Sequence, residues 1–310
     1  MDFSRFLLPI LVLGALCSPA AAQDRGTLNP KPLPPLANPD DPSTPAKELF
    51  GRRPTPTSME SRAIGFYSRG CLAGGIALPV NGRNWQVMRL SRNRNWGHPN
   101  LIDFLERLAA KAPSVGWNGL LVGDMAQARG GPMLTGHASH QIGLDADIWL
   151  TPMPNRELTR QEREEISATM VVRPDRLDVD PKVWTPGHLG ILRAAAKDPA
   201  VERVLANAAI KKALCREAGS DRSWLHKIRP VYGHDYHFHV RISCPKDSPT
   251  CKTQDPTPDS DGCSVADLAY WFQPKVLFPP PAPPPDPNKP RKYTTMKDLP
   301  QECRQVLVAQ

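Results

Sequence analysis

Side chains able to bind metals or move protons are concentrated in two short stretches of this 310-residue chain. One is TGHASHQIGLDADIWL, residues 135–150, with His137, His140, Asp145 and Asp147; the other is HDYHFHVRI, residues 234–242, with His234, His237 and His239. Five of the eight histidines fall in these two places. A lone histidine is more often a hydrogen-bonded structural residue than a ligand, so the clustering is what favours a metal site.

Asp145 and Asp147 are two residues apart, as are His237, His239 and Arg241, so each set shares one face of an extended chain. Ile142, Leu144, Ala146, Ile148 and Leu150 then form the apolar back of the first strand, and Tyr236, Phe238, Val240 and Ile242 that of the second. If the strands share a sheet, histidines and carboxylates converge. His140 lies just before the first strand, where Gly143 lets the chain bend back, so its imidazole can join Asp147 and His239. Two neutral nitrogens and one carboxylate oxygen are the donor set of a catalytic zinc site, with a fourth position left for water. Zinc in such a site lowers the pKa of that water towards about 7. His237, on the same face as His239, is placed to act as a general base. Arg241 is a candidate to receive a substrate carboxylate, or equally an ion pair that stabilises the fold. Ser139 has no evident base partner and reads as structural.

Helices must hold these strands. LIDFLERLAAKAP after Asn100 puts Leu101, Phe104, Leu105 and Leu108 on one face. TPGHLGILRAAAK has Thr185 as N-cap and Pro186 at the first helical position. DPAVERVLANAAIKKALCREAG repeats that device with Asp198 and Pro199, predicting a helix that ends near Gly219.

The N-terminus has Arg5, an apolar run from Phe6 to Leu16 and Ala20-Ala21-Ala22, which reads as a secretory signal peptide over 1–22. That run is too short to span a bilayer and no later stretch is long enough, so no stable membrane insertion is expected. Residues 23–60 and 276–310 are proline-rich and are read as a linker and a tail, flanking one domain over 61–275. Beyond the signal six cysteines remain, and an even count in an exported chain favours disulfides without choosing their pairing. The net charge of +8 is scattered without a basic run, so no nucleic-acid partner is expected. Oligomeric state is not legible.

His140 to Asp147 with six residues between, and His237-Phe238-His239, resemble the zinc signature of the LAS peptidases. The stretches ASHQIGLDADI, HDYHFHVR and the run from Ala209 to Pro230 are more closely similar to the penicillin-insensitive murein endopeptidases within that group. The resemblance covers roughly Arg62 to Phe272 and reaches the cysteines of the tail. It implies a periplasmic zinc enzyme that cuts the D-alanyl–meso-diaminopimelyl cross-link of peptidoglycan, with His140, Asp147 and His239 on the metal and His237 as the catalytic imidazole. It also implies an additional metal near His137, with Asp175 and Asp178 as its acidic candidates. Asp178 stands where the relatives carry histidine, so solvated loop aspartates are the alternative. The disulfides implied are Cys71–Cys303, Cys215–Cys263 and Cys244–Cys251, the first tethering the tail. The expected fold is α+β, a small antiparallel sheet carrying the zinc site, flanked by helices and disulfide-stapled loops. Two other functions stay open: a zinc D-Ala-D-Ala carboxypeptidase, or a non-catalytic, zinc-stabilised cell-wall binding module.

Overall fold

The computed structural model describes residues 25–281, 283, 284, 286 and 292–310, so the expected signal peptide lies outside the described residues. The strands are β1 (Arg62–Phe66), β2 (Arg69–Ala73), β3 (Ile76–Ala77), β4 (Asn81–Gly82), β5 (Trp85–Val87), β6 (Trp96–Gly97), β7 (Leu120–Val122), β8 (Asp145–Trp149), β9 (Val201–Ala206), β10 (Ile228–Pro230) and β11 (His237–Ile242). The helices are α1 (Ala46–Phe50), α2 (Pro99–Lys111), α3 (Arg160–Glu165), α4 (Pro186–Lys197), α5 (Ala208–Glu217), α6 (Val265–Ala269), α7 (Pro274–Leu277) and α8 (Glu302–Val308). No helix among the described residues is long and apolar enough to cross a membrane.

The architecture is α+β. Seven strands form the main sheet in the order β10-β9-β11-β8-β7-β5-β4. It is larger than the expected sheet and mixed, with parallel pairing at β10/β9 and β5/β7 and antiparallel pairing elsewhere. The two polar-faced strands are its central antiparallel pair. Their backs, Ala146, Ile148, Phe238 and Val240, are fully buried in the main core. Against it packs α2, with Leu101, Phe104, Leu105 and Leu108 inward; it starts at Pro99, and the His98 ring accepts from the Asn100 N–H as N-cap. In α4, Pro186 opens the helix and the Thr185 N–H donates to His188 Nδ1 at 3.1 Å.

The segment after Asp198 differs from expectation. Val201–Ala206 is strand β9, and the helix begins only at Ala208, where Asn207 caps by accepting from the Ala209 N–H. Asp198 accepts from the Ala200 N–H and closes a turn instead of opening a helix. The β-branched Val201 and Val204 fit the buried pleat between β11 and β10.

Among the described residues three disulfides form, Cys71–Cys303, Cys215–Cys263 and Cys244–Cys251. Cys71 and Cys303 lie in a second apolar cluster with Ala46, Phe50, Ile64, Leu299 and Val306. Part of the segment expected as a linker is thus packed: Ala46 and Phe50 of α1 are buried, and the Ala46 N–H donates to Thr294 O of the tail.

Candidate metal centre

The pairing register of β8 and β11 sets His239 opposite Asp147, Arg241 opposite Asp145 and His237 opposite Trp149. His140 enters from the loop before β8 with its backbone in the left-handed region, φ 66°. Its N–H donates to Asp145 Oδ2 at 3.0 Å, which holds the ring over the strand. The sheet therefore gathers His140, Asp147 and His239 from residues ninety-nine positions apart at the extremes.

Three donor atoms form a compact triangle. His140 Nε2 and His239 Nδ1 are 3.1 Å apart, and Asp147 Oδ1 is 3.5 Å from the first and 3.3 Å from the second. Zinc with ligands at about 2.0–2.1 Å requires tetrahedral donor edges of about 3.3–3.4 Å, so the triangle fits one face of such a site. Asp147 Oδ1 is buried and accepts no hydrogen bond from any described residue, as expected of an oxygen meant for a cation. His140 Nδ1 and His237 Nδ1 are also buried without a hydrogen-bond partner among the described residues.

His137 borders the triangle. With His140 and Asp147 it forms a group whose donor atoms lie within 4.8 Å of one another. The two groupings share His140 and Asp147; the one with His239 is tighter, whereas His137 is engaged by Asp124, 3.0 Å from Nε2, and lies 3.5 Å from Asp147 Oδ2 through Nδ1. His237 Nε2 is 3.7 Å from Asp147 Oδ2, and its ring packs on His234 at 4.6 Å.

The charges interact strongly. Burial pushes the Asp147 carboxyl up, but His237, His140 and His137 outweigh it and hold the group well below the usual carboxylate range. Burial, with His137 adding, lowers His140 to about 4. Burial also lowers His237 to about 3, against the attraction of Asp147. His239 goes the other way: burial is outweighed by Asp145 and then Asp147, which raise it to about 9. Asp147 is thus an ionised oxygen donor among the imidazoles.

Asp175 and Asp178 do not join the group. Asp175 pairs with Arg173 at 2.9 Å, and Asp178 with Arg216 at 2.9 Å and Lys212 at 3.4 Å. Those cations neutralise the charge a second metal would need. Arg241 is likewise committed: it is buried, donates to Asp145 Oδ1 (2.8 Å) and Gln254 Oε1 (2.6 Å), and lies over the Tyr67 ring at 4.0 Å. It braces Asp145 behind the candidate ligands.

Two features were not singled out in the sequence. Asp124 follows β7, and backbone bonds from Gly123 N–H to Asp147 O and from Asp147 N–H to Asp124 O bring it beside the site. Its carboxylate receives His137, Arg92 (3.0 Å) and Arg94 (2.9 Å). Asp124, Arg92, Arg94, Trp149, Tyr236 and His237 line a cleft of about 170 Å³ against Asp147. The arginine loop is clamped by α3, with the Arg89 N–H on Arg163 O and the Ser91 N–H on Glu164 Oε1. The GLDAD pattern drew attention to β8, but no local periodicity ties Asp124 to it.

A carboxylate and a histidine on adjacent strands with a second histidine from the loop before β8, opening on a basic cleft, make a centre of the kind metal-dependent hydrolases use. The family model described as penicillin-insensitive murein endopeptidase matches residues 63–308, and the chain belongs to that family. A penicillin-insensitive murein endopeptidase of Haemophilus influenzae is 46% identical over 226 residues, covering 72% of this chain and 78% of the relative. Proteins of the same name from Yersinia enterocolitica (44% identical; 74% of this chain, 85% of theirs) and Pectobacterium atrosepticum (41%; 81% and 86%) are similarly close.

Proposed function

We propose that this chain is a zinc-dependent murein endopeptidase of the periplasm that hydrolyses the D-alanyl–meso-diaminopimelyl cross-link of peptidoglycan. The observation that carries the metal is the donor triangle of His140 Nε2, Asp147 Oδ1 and His239 Nδ1, with edges of 3.1, 3.3 and 3.5 Å around a buried oxygen that accepts no hydrogen bond from a described residue. Family membership and the relatives' names support the substrate class.

His140, Asp147 and His239 would hold the ion. When bound, zinc supplies Lewis-acid polarisation of the scissile carbonyl and activation of a water. His237 Nε2, which faces Asp147 Oδ2 across 3.7 Å, accepts the proton of the attacking water and returns it to the departing amine. Trp149 and Tyr236 wall the cleft, and its three arginines, Arg89, Arg92 and Arg94, outnumber the carboxylates of Asp124 and Asp147, a net positive lining suited to the carboxylates of a cross-linking peptide. A second ion is not proposed, since Asp175 and Asp178 are held in ion pairs.

The test is metal content beside product analysis, on the wild type and His239→Ala. Stoichiometric zinc in the wild type, conversion of cross-linked muropeptide dimers to monomers, and loss of both in the variant are expected. Release of terminal D-alanine from a linear pentapeptide without dimer cleavage would instead make the chain a carboxypeptidase. Zinc retention without turnover of either substrate would leave a binding module.

A further inference from the structure

Asp145 lies beside the candidate ligands without belonging to them. It is fully buried, and its two oxygens receive four donors from three residues, the most distant being Arg241 Nη2, 3.4 Å from Oδ2. His239 Nε2 lies 2.9 Å from Oδ1, the Arg241 Nε–H donates to the same oxygen at 2.8 Å, and the His140 N–H donates to Oδ2 at 3.0 Å. One carboxylate thus contacts the ring of one candidate ligand and the backbone of another.

We infer that Asp145 is the positioning residue of the metal centre, fixing the His239 tautomer and the His140 backbone together; this rests on the zinc reading given above. An ionised carboxylate only accepts hydrogen bonds, so the His239 nitrogen that faces it must carry the proton. In the zinc-loaded protein the other nitrogen, Nδ1, would then give its lone pair to the ion, on the side that faces His140 Nε2 and Asp147 Oδ1. Carboxylate–histidine–metal relays of this kind set ring orientation and raise ligand basicity. The bond to the His140 N–H acts on a different ligand. His140 has φ 66°, a region that side-chain-bearing residues visit reluctantly, and the bond to Asp145 Oδ2 compensates. Arg241 keeps Asp145 in place: Gln254 holds one arm of its guanidinium, and Tyr67 lies beneath it.

Asparagine cannot reproduce this. With its oxygen towards His239 and Arg241, its NH2 meets the His140 N–H, donor against donor. Flipped, the NH2 meets His239 Nε2 and drives the proton onto Nδ1, into the metal position.

The experiment measures the zinc dissociation constant of wild type and Asp145→Asn by chelator competition, alongside nitrogen-15 spectra of the histidine rings in the zinc-loaded wild type. The variant should bind zinc about 10- to 100-fold more weakly, the range for loss of such partners, and the wild-type His239 should show its proton on Nε2. Equal affinity of the two proteins overturns the inference. So does a wild-type His239 with its proton on Nδ1, a readout that does not depend on the variant folding. A wild type that takes up no zinc overturns the site reading and this inference with it, whereas zinc uptake undiminished by the substitution sinks this inference alone.

Discussion

His140 and His239 show how much of the chemistry is readable from spacing and how much is not. The two-residue spacing of Asp145/Asp147 and His237/His239 is enough to put each pair on one face of its own strand, because side chains alternate in extended chain, whereas the pairing of the two strands is a tertiary fact. The left-handed turn that brings His140 onto the same point depends on a hydrogen bond to Asp145 that no spacing rule foretells. Asp124 is hidden for the same reason: its place follows from the pairing of β7 with β8, a long-range contact. Arg241 faces the predicted side yet turns out to be buried beneath it. At this scale the sharpest test separates ligand from proton carrier. His140→Ala or Asp147→Ala should abolish both zinc retention and hydrolysis. His237→Ala should retain zinc and lose on the order of 10² to 10⁴ in turnover, the usual contribution of a general acid/base. Metal analysis with single-turnover kinetics on cross-linked dimers checks this, and full activity in a zinc-retaining His237 variant would remove it from the mechanism.

Among the elements, β8, β11 and α2 are legible because their apolar residues keep one period throughout, and α4 because Thr185 and Pro186 mark its start. The stretch from Asp198 to Ala206 misleads because Asp-Pro resembles a helix start, while burial between two strands decides the outcome. Only tertiary pairing with β11 and β10 makes β9 a strand. Helix α5 then carries an unusual group inward: Lys211 is fully buried, with Nζ donating to Leu225 O (2.7 Å) and Asp261 O (2.5 Å). Burial, with Arg229 adding, lowers its pKa to about 7. An unfolded lysine titrates near 10.4, so between about 7 and 10 the unfolded chain binds more protons than the folded one. Folding stability from this group therefore rises with pH across that window. Chemical denaturation of wild type and Lys211→Met at several pH values should show the difference between them shifting in favour of the wild type as pH climbs from about 7 to 10. A pH-independent difference would mean that the amine keeps its ordinary pKa inside the protein.

The whole molecule is held together across its sequence extremes. Cys71 of β2 and Cys303 of α8 are 232 positions apart, and their bond sits in an apolar cluster shared with α1. Arg129 strengthens the closure by donating to three carbonyls of the C-terminal segment, Val306, Leu307 and Ala309. The same hairpin that holds Cys71 also supports the site loop: Gln141 Oε1 accepts from the Gly70 N–H, its Nε2 donates to Ser68 O, and its backbone N–H donates to Tyr67 O. These bonds do not involve the disulfide, so the tether and the metal centre should separate experimentally. Replacing both Cys71 and Cys303 by alanine removes a long loop closure, for which the chain-entropy model gives about 5.5 kcal/mol. The double variant should unfold at lower denaturant and release α8 to proteolysis first, because the small cluster, the Arg129 bonds and the Ser58 bonds to Gln310 O are then the non-covalent contacts that retain the C-terminal segment. Zinc uptake in the folded variant should match the wild type, since His140, Asp147 and His239 stand on strands and bonds that the substitution leaves in place. Loss of zinc uptake at full folding would show instead that the tether strains the hairpin into the geometry that the site loop needs.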